Sequence, residues 1–179
     1  MTSVAYITAL TIGIFAVTTL SSNAAMPYTE TAIPDHKEEL VASTPLTKFE
    51  GVRKLSQEQL VELLRAVGFK GQALRTAWAV AMRESNGRPV AHNNNIKTGD
   101  NSYGIFQVNM LGSLGVDRRE KYGLVANTDL FDPVTNAKVV FQMTNGGTDW
   151  SSWGLGPNAY DGTAAEPSIT KWMPLFPKS

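Results

Sequence analysis

The run from Gln72 to Glu84, Gln-Ala-Leu-Arg-Thr-Ala-Trp-Ala-Val-Ala-Met-Arg-Glu, constrains this chain more than any other stretch. Leu74, Ala77, Trp78, Ala81 and Met82 recur at helical spacing, and the apolar residues between them leave little polar face. Such a pattern predicts a helix buried on most sides, around which the rest of a domain must pack. Gly87-x-Pro89 follows as its stop. One carboxylate, Glu84, closes the run, with Ser85 directly after it. Burial against an apolar helix disfavours a charged carboxylate, and so does the partial negative charge of a helix C-terminus. Both effects favour a neutral acid that can protonate a leaving group, as glycosidic bond cleavage requires. An ordinary helix-end carboxylate in water is the competing reading.

Around this helix the chain supplies enough for one compact domain. With 179 residues and 42% hydrophobic content it can build one real core, but not two large ones. Ser56 and Gln59 form a capping box, Leu55 and Leu60 occupy staple positions, and Leu60, Leu63, Leu64 and Val67 repeat before Gly68. These signals predict a first helix. Asp132 caps another, with Pro133 at its first position, an inner stripe of Val134, Ala137, Val140, Phe141 and Thr144, and Gly146-Gly147 as its end. Asn93-Asn94-Asn95 and Gly99-Asp100-Asn101 are turn chemistry, and Tyr103 to Val108 reads as a small strand. The expected fold class is α+β, mostly helical, with a small β-region beside Glu84.

The ends read differently. Val4 to Leu20 lacks charge and is mostly apolar, and Ser21-Ser22-Asn23-Ala24-Ala25 offers small residues for cleavage. Residues 1–6 contain no Lys or Arg, so a membrane anchor is the alternative to a signal peptide over 1–25. Residues 26–50, interrupted by Pro27, Pro34 and Pro45, read as a flexible linker; 51–165 form the domain, and 166–179 a C-terminal tail.

Charge and residue inventory exclude several functions. Sixteen basic residues balance sixteen acidic ones, so the total charge points to no nucleic acid. Residues 28–47 hold four acids against one Lys, whereas 48–179 hold fifteen basic against twelve acidic residues. That mild positive excess suits an anionic cell wall or an ordinary solvated surface equally. The absence of Cys removes thiol nucleophiles and disulfides. With only His36 and His92, a metal site of the usual ligands is not expected, and no G-x-S-x-G accompanies either His. No cofactor is called for.

Three motifs in order resemble the lytic transglycosylase domain of the lysozyme-like superfamily, in the spacing of phage and secretion-system members. They are Glu84-Ser85, then Tyr103-Gly104-Ile105-Phe106-Gln107-Val108-Asn109, then Asp132-Pro-x-x-Asn-Ala137, and the likeness spans roughly residues 55–161. The resemblance implies cleavage of the β-1,4 bond between MurNAc and GlcNAc in peptidoglycan, with Glu84 as catalytic residue. It implies that Gln107 bonds sugar acetamido or hydroxyl groups, that Ser85 supports the acid or the substrate, and that Tyr160 approaches the acid. Asn109 reads as a sugar contact or as a satisfied turn amide, and Tyr103 as a wall beside Glu84 or as core filling. Trp150, Trp153 and Tyr160 offer flat apolar faces to a pyranose, or plug the core. The family's third motif is more often Ala-Tyr-Asn; here it reads Asn158-Ala159-Tyr160-Asp161.

Counting carboxylates favours the transglycosylase. A hydrolase ordinarily uses a second acid, at about 5–5.5 or roughly 6.5–9.5 Å. Asp100, between the first two motifs, is the best candidate for that role, though Gly-Asp-Asn is ordinary turn chemistry. Members of the family manage with one Glu, the substrate's N-acetyl group stabilising the cation and its C6 hydroxyl closing a 1,6-anhydro ring. The alternatives are a muramidase with a second carboxylate, a glycan-binding or structural component of a virion or secretion apparatus, and a peptidoglycan endopeptidase on the same fold. The expected partners are glycan strands, the membrane through residues 4–20, and virion or secretion proteins. The expected location is exported or anchored, facing the bacterial envelope, or in a phage virion.

Overall fold

A computed structural model describes residues 45–155 and 167–178. The expected signal or anchor and Tyr160 lie outside the described residues.

Helix α1 spans Gln57–Val67. Its start is the capping box expected from sequence: the Gln59 N–H donates to Ser56 Oγ at 3.2 Å and the Ser56 N–H to Gln59 Oε1 at 2.8 Å. Leu60, Val61, Leu63 and Leu64 are buried along one face. Each such side chain contributes about 2 kcal/mol by leaving water. Gly68, at φ +124°, ends the helix, and a side chain there would press on the Phe141 ring.

Helix α2 spans Gly71–Ser85 and is buried from Thr76 through Met82, so it is the central helix its sequence predicts. Its stop differs in detail from the expected Gly87-x-Pro89. Asn86 adopts the left-handed conformation, its N–H reaching Met82 O at 3.0 Å, and the Gly87 N–H reaches Ala81 O at 3.1 Å. Asn is the non-glycine residue best suited to that geometry, so the helix closes one residue earlier.

The β-region is a three-stranded antiparallel sheet in the order β1 (His92–Asn93), β2 (Ser102–Tyr103), β3 (Val108–Asn109). Tyr103 pairs with Val108 and Ser102 with Asn109. The continuous strand expected from Tyr103 to Val108 is therefore a hairpin, with residues 104–107 forming its turn. Gly104 at φ +78° and Gln107 at φ +50° reverse the chain. A Cβ on Gly104 would lie 2.2 Å from Leu130 O and from Asn136 Nδ2, so glycine is required there by space as well as by backbone angle.

Helix α3 (Gly112–Tyr122), for which the sequence carries no strong period, follows the hairpin and buries only Gly115. Helix α4 spans Pro133–Met143, with Asp132 accepting the Thr135 N–H at 2.8 Å and Pro133 in the first turn, as its sequence predicts. Val134, Ala137, Val140 and Thr144 are buried, with Phe141 packed against the core.

Two boundaries move. The 3-10 turn Leu46–Phe49 is part of the domain, because Phe49 is buried in the core; the expected linker to residue 50 thus ends earlier. At the other end, α5 (Pro167–Thr170) and the turn Met173–Leu175 pack on α2, with Ile169 fully buried. Trp172 and Phe176 lie against the same core, and Phe176 meets Trp78 edge to face at 5.6 Å. Apolar residues at Ile169, Trp172 and Phe176 make this a docked segment, not the free tail expected over 166–179.

Candidate active site

The last turn of α2, the hairpin, α3 and the segment 151–153 enclose a cleft of about 400 Å³. Glu84 lines it, with its side chain 24% exposed. Arg83 lies beside it: its Nε donates to Glu84 Oε1 at 2.8 Å and its Nη2 lies 2.6 Å from the same oxygen. Arg83 Nη2 also donates to Trp153 O at 2.9 Å, tying the acid's partner to the opposite wall. Arg83 is thus a counter-charge beside Glu84 that neither the apolar pattern nor the helix end announces.

Ser85, expected against the acid or the substrate, is buried and turned into the fold. Its hydroxyl donates to Ile105 O at 2.6 Å and accepts the Arg88 N–H at 3.0 Å. It therefore fastens the end of α2 to the hairpin turn. Tyr103 is likewise displaced from the expected substrate wall. It is buried, with its ring 4.4 Å from His92 and 5.3 Å from Phe131, and it does not line the cleft. The alternation of β2 and the position of Phe131 send it into that aromatic group.

Gln107 does line the cleft. Its Nε2 donates to Gly104 O at 2.9 Å and to Ala91 O at 3.2 Å, so the amide is held by its nitrogen. Among the described residues Oε1 has no bonded partner, which leaves an acceptor for a substrate N–H or O–H. The left-handed backbone at Gln107, sparsely populated for a residue with a side chain, costs on the order of 1 kcal/mol or more. Asn109 also lines the cleft, but its groups are used within the fold. Oδ1 accepts the Asn101 and Leu111 N–H groups and Nδ2 donates to Gly99 O at 2.9 Å, the turn-amide alternative.

The two tryptophans separate. Trp150 is a core plug, 1% exposed, with Nε1 donating to Gly147 O at 3.0 Å. Trp153 is half-buried on the cleft wall, and its Nε1 donates to Phe106 O at 2.8 Å. Asp100 shares the cleft with Glu84. Its Oδ1 accepts the Ser102 hydroxyl and its Oδ2 accepts from Asn93 Nδ2 at 2.5 Å, so both oxygens brace the turn before β2.

Two contributors carry roles that the sequence does not assign to them. Asn136, fully buried on α4, accepts the Phe106 N–H at 3.1 Å and donates to Tyr103 O and Leu130 O, each at 3.0 Å. One side-chain amide thereby satisfies main-chain groups of both the hairpin turn and the loop before α4. Its place beside Ala137 on an otherwise apolar face was the available signal. Arg118 reaches the cleft from α3 and donates from Nη1 to Asn109 O. Burial lowers its pKa from the usual guanidinium value. No periodic pattern marked it.

Residues 61–155, more than half of the chain, match the family described as a lysozyme-like domain. The chain belongs to that family. No curated protein and no solved structure gives a significant match. The matched span of this lysozyme-like domain runs from within α1 to Leu155 and includes every described cleft residue named above. The family is one of peptidoglycan-degrading glycosidases, so its substrate class is the wall glycan.

Proposed function

We propose that this lysozyme-like domain cleaves the MurNAc–GlcNAc β-1,4 bond as a lytic transglycosylase, with Glu84 as acid and then base. The observation that carries the reading is the unequal use of the two cleft carboxylates. Asp100 has both oxygens committed to Ser102 and Asn93, whereas Glu84 is bonded at Oε1 alone among the described side chains. One available acid is what the anhydro-forming route needs.

Glu84 passes its proton to the glycosidic oxygen as the C1–O bond breaks. The N-acetyl carbonyl of the substrate stabilises the cation at C1. The Glu84 carboxylate then takes the proton of the C6 hydroxyl, whose oxygen bonds to C1 and closes the 1,6-anhydro ring. Arg83 orients the carboxylate, Gln107 Oε1 accepts from a sugar amide or hydroxyl, and the exposed part of Trp153 supports an apolar ring face. Ser85 and Asn136 hold these groups through the backbone.

The same reading places the protein at the envelope, exported or anchored through residues 4–20, in phage entry or lysis or in a secretion machine. Fractionation of expressing cells checks that placement: a chain retained in the cytosol removes it.

The chemistry is tested by incubating the full chain, and its Glu84→Gln variant, with purified peptidoglycan and identifying the soluble products by mass spectrometry. Anhydro-muropeptides released only by the unmutated chain are expected. Because Asp100 lines the same cleft, a hydrolytic muramidase is the second reading, and reducing-end products that vanish in Asp100→Asn establish it. Freed peptides, or no product, sink the glycosidase.

A further inference from the structure

The first turn of α2 borders a groove of about 470 Å³, larger than the cleft of about 400 Å³ at its last turn. Arg65 lines it from the end of α1, Phe69 and Lys70 from the connection, Leu74 and Arg75 from α2, and Phe176 from the docked C-terminal segment. The two openings share no lining residue, and from Arg75 to Glu84 the helix axis rises about 14 Å.

Two features set this groove apart from an ordinary surface hollow. Its floor is hydrocarbon: Phe69 and Leu74 are buried beneath it, and Phe176 is half-buried at its side, with the Arg75 guanidinium 5.3 Å over the ring. Its charges are all of one sign. Arg65, Lys70 and Arg75 are exposed, and no Asp or Glu lines the space. The carboxylates of the adjoining depression, which shares Arg65, are engaged elsewhere: Glu58 accepts the Ser56 hydroxyl, and Glu62 pairs with Lys48 at 2.6 Å. Among the described residues the ion pairs are Lys48–Glu62 and Arg83–Glu84, so Arg65 and Lys70 have no carboxylate partner. Arg75 is tied into the fold by its bond to Met173 O at 3.3 Å. Three cations around an apolar floor complement a molecule with an anionic head and an apolar body. The space has the size of a small-molecule site, roughly 300–1,000 Å³, and is too narrow for the broad face that a folded protein partner needs.

We propose that this groove binds an anionic phospholipid of the membrane surface. The phosphate lies between Arg65 and Lys70, and the glycerol and first methylenes lie over Phe69 and Phe176. Lys and Arg side chains at an anionic bilayer each add to the attraction. The apolar run from Val4 to Leu20 carries no charge, so a preference of this chain for anionic lipid has to arise elsewhere in it. Seated on a bilayer by the first turn of α2, the domain keeps the Glu84 cleft, at the last turn, clear of the lipid. The inference goes beyond the glycan chemistry and does not depend on it.

The test is sedimentation of the full chain with vesicles of phosphatidylcholine, either alone or with about a third of anionic phosphatidylglycerol. Because residues 4–20 are uncharged, any hold they have on a bilayer is common to both vesicles, and the ratio of affinities reports the groove. Anionic vesicles are expected to bind about tenfold tighter, and the excess should shrink at high salt. Arg65→Glu with Lys70→Glu should cut the ratio to below about twofold. Both side chains are exposed, so thermal unfolding should be little changed. Lys97→Glu with Lys138→Glu makes the same change of net charge at exposed sites outside the groove and should keep most of the excess. Glycerol phosphate, which has the anion without the chains, should fail to displace the vesicles at fixed ionic strength. Equal binding to both vesicles overturns the inference. So does an excess that survives Arg65→Glu with Lys70→Glu, or one that the Lys97 and Lys138 pair removes equally, because net charge then replaces the groove. Displacement by glycerol phosphate overturns the lipid in favour of a bare phosphate.

Discussion

Helices α2 and α3 both give charged side chains to one cleft, yet they are built in opposite ways. Helix α2 is buried from Thr76 through Met82 and puts Glu84 at its last turn, so the acid's position is set by the whole core. Helix α3 buries only Gly115, with Tyr122 packed partly against the core at its end, and reaches the cleft with Arg118. The difference teaches that the two cleft walls carry different demands. Under the proposed function, the wall with Glu84 must hold a reacting group to within a fraction of an ångström. The other wall can change its exposed side chains at little cost to folding.

The sharpest way to break this contrast is at Trp78, fully buried in α2. Trp78→Ala should cost about 3–5 kcal/mol in denaturant unfolding. A cost below 1 kcal/mol would show that α2 is not the central support. Next is the acid. Glu84→Gln should lower turnover of peptidoglycan about a thousandfold, within the range for removal of a general acid, with an unchanged far-ultraviolet circular dichroism spectrum. A residual rate above one tenth would remove Glu84 from the chemistry.

The seat of α3 gives a smaller and less obvious effect. A Cβ at Gly115 would stand 2.2 Å from Met110 O, a main-chain atom that cannot swing aside. Helix propensity favours Gly115→Ala by about 1 kcal/mol. Overpacking costs roughly 1–3 kcal/mol, so the clash should win and the melting temperature should fall. A rise would mean that α3 floats free of the hairpin. Least of all, Val116→Ser, at a position 53% exposed, should change stability by no more than about 0.5 kcal/mol. A larger loss in thermal unfolding would reveal packing on α3 that the contrast denies.

The same contrast explains what could be read in the sequence. Helices α1, α2 and α4 bury continuous stripes or carry explicit caps at Ser56 and Asp132, so periodicity and cap chemistry found them. Helix α3 buries almost nothing, so periodicity had nothing to detect, and Arg118 went unseen with it. The hairpin was read as one strand because Ile105 and Phe106 are apolar, although both are buried in its turn. That turn is held by Asn136, thirty residues on from Phe106, a contact no local pattern encodes. Motif order names Ser85 and Tyr103 without giving their direction: Ser85 turns away from the expected acid or substrate, and Tyr103 takes the core-filling alternative. Glu84, Gln107 and Trp153 were found in the cleft because each sits where an element ends or turns.

Trp153 joins three parts of the site that are far apart in the chain. Its indole N–H is bound to Phe106 O in the hairpin turn, and its own carbonyl is bound to the Arg83 that holds Glu84. The residue works like a joint pin through two hinged plates: shift it, and the hairpin turn and the guanidinium beside Glu84 move together. Damage to this one indole, by light or oxidant, would slacken both sides of the cleft at once without touching Glu84 itself.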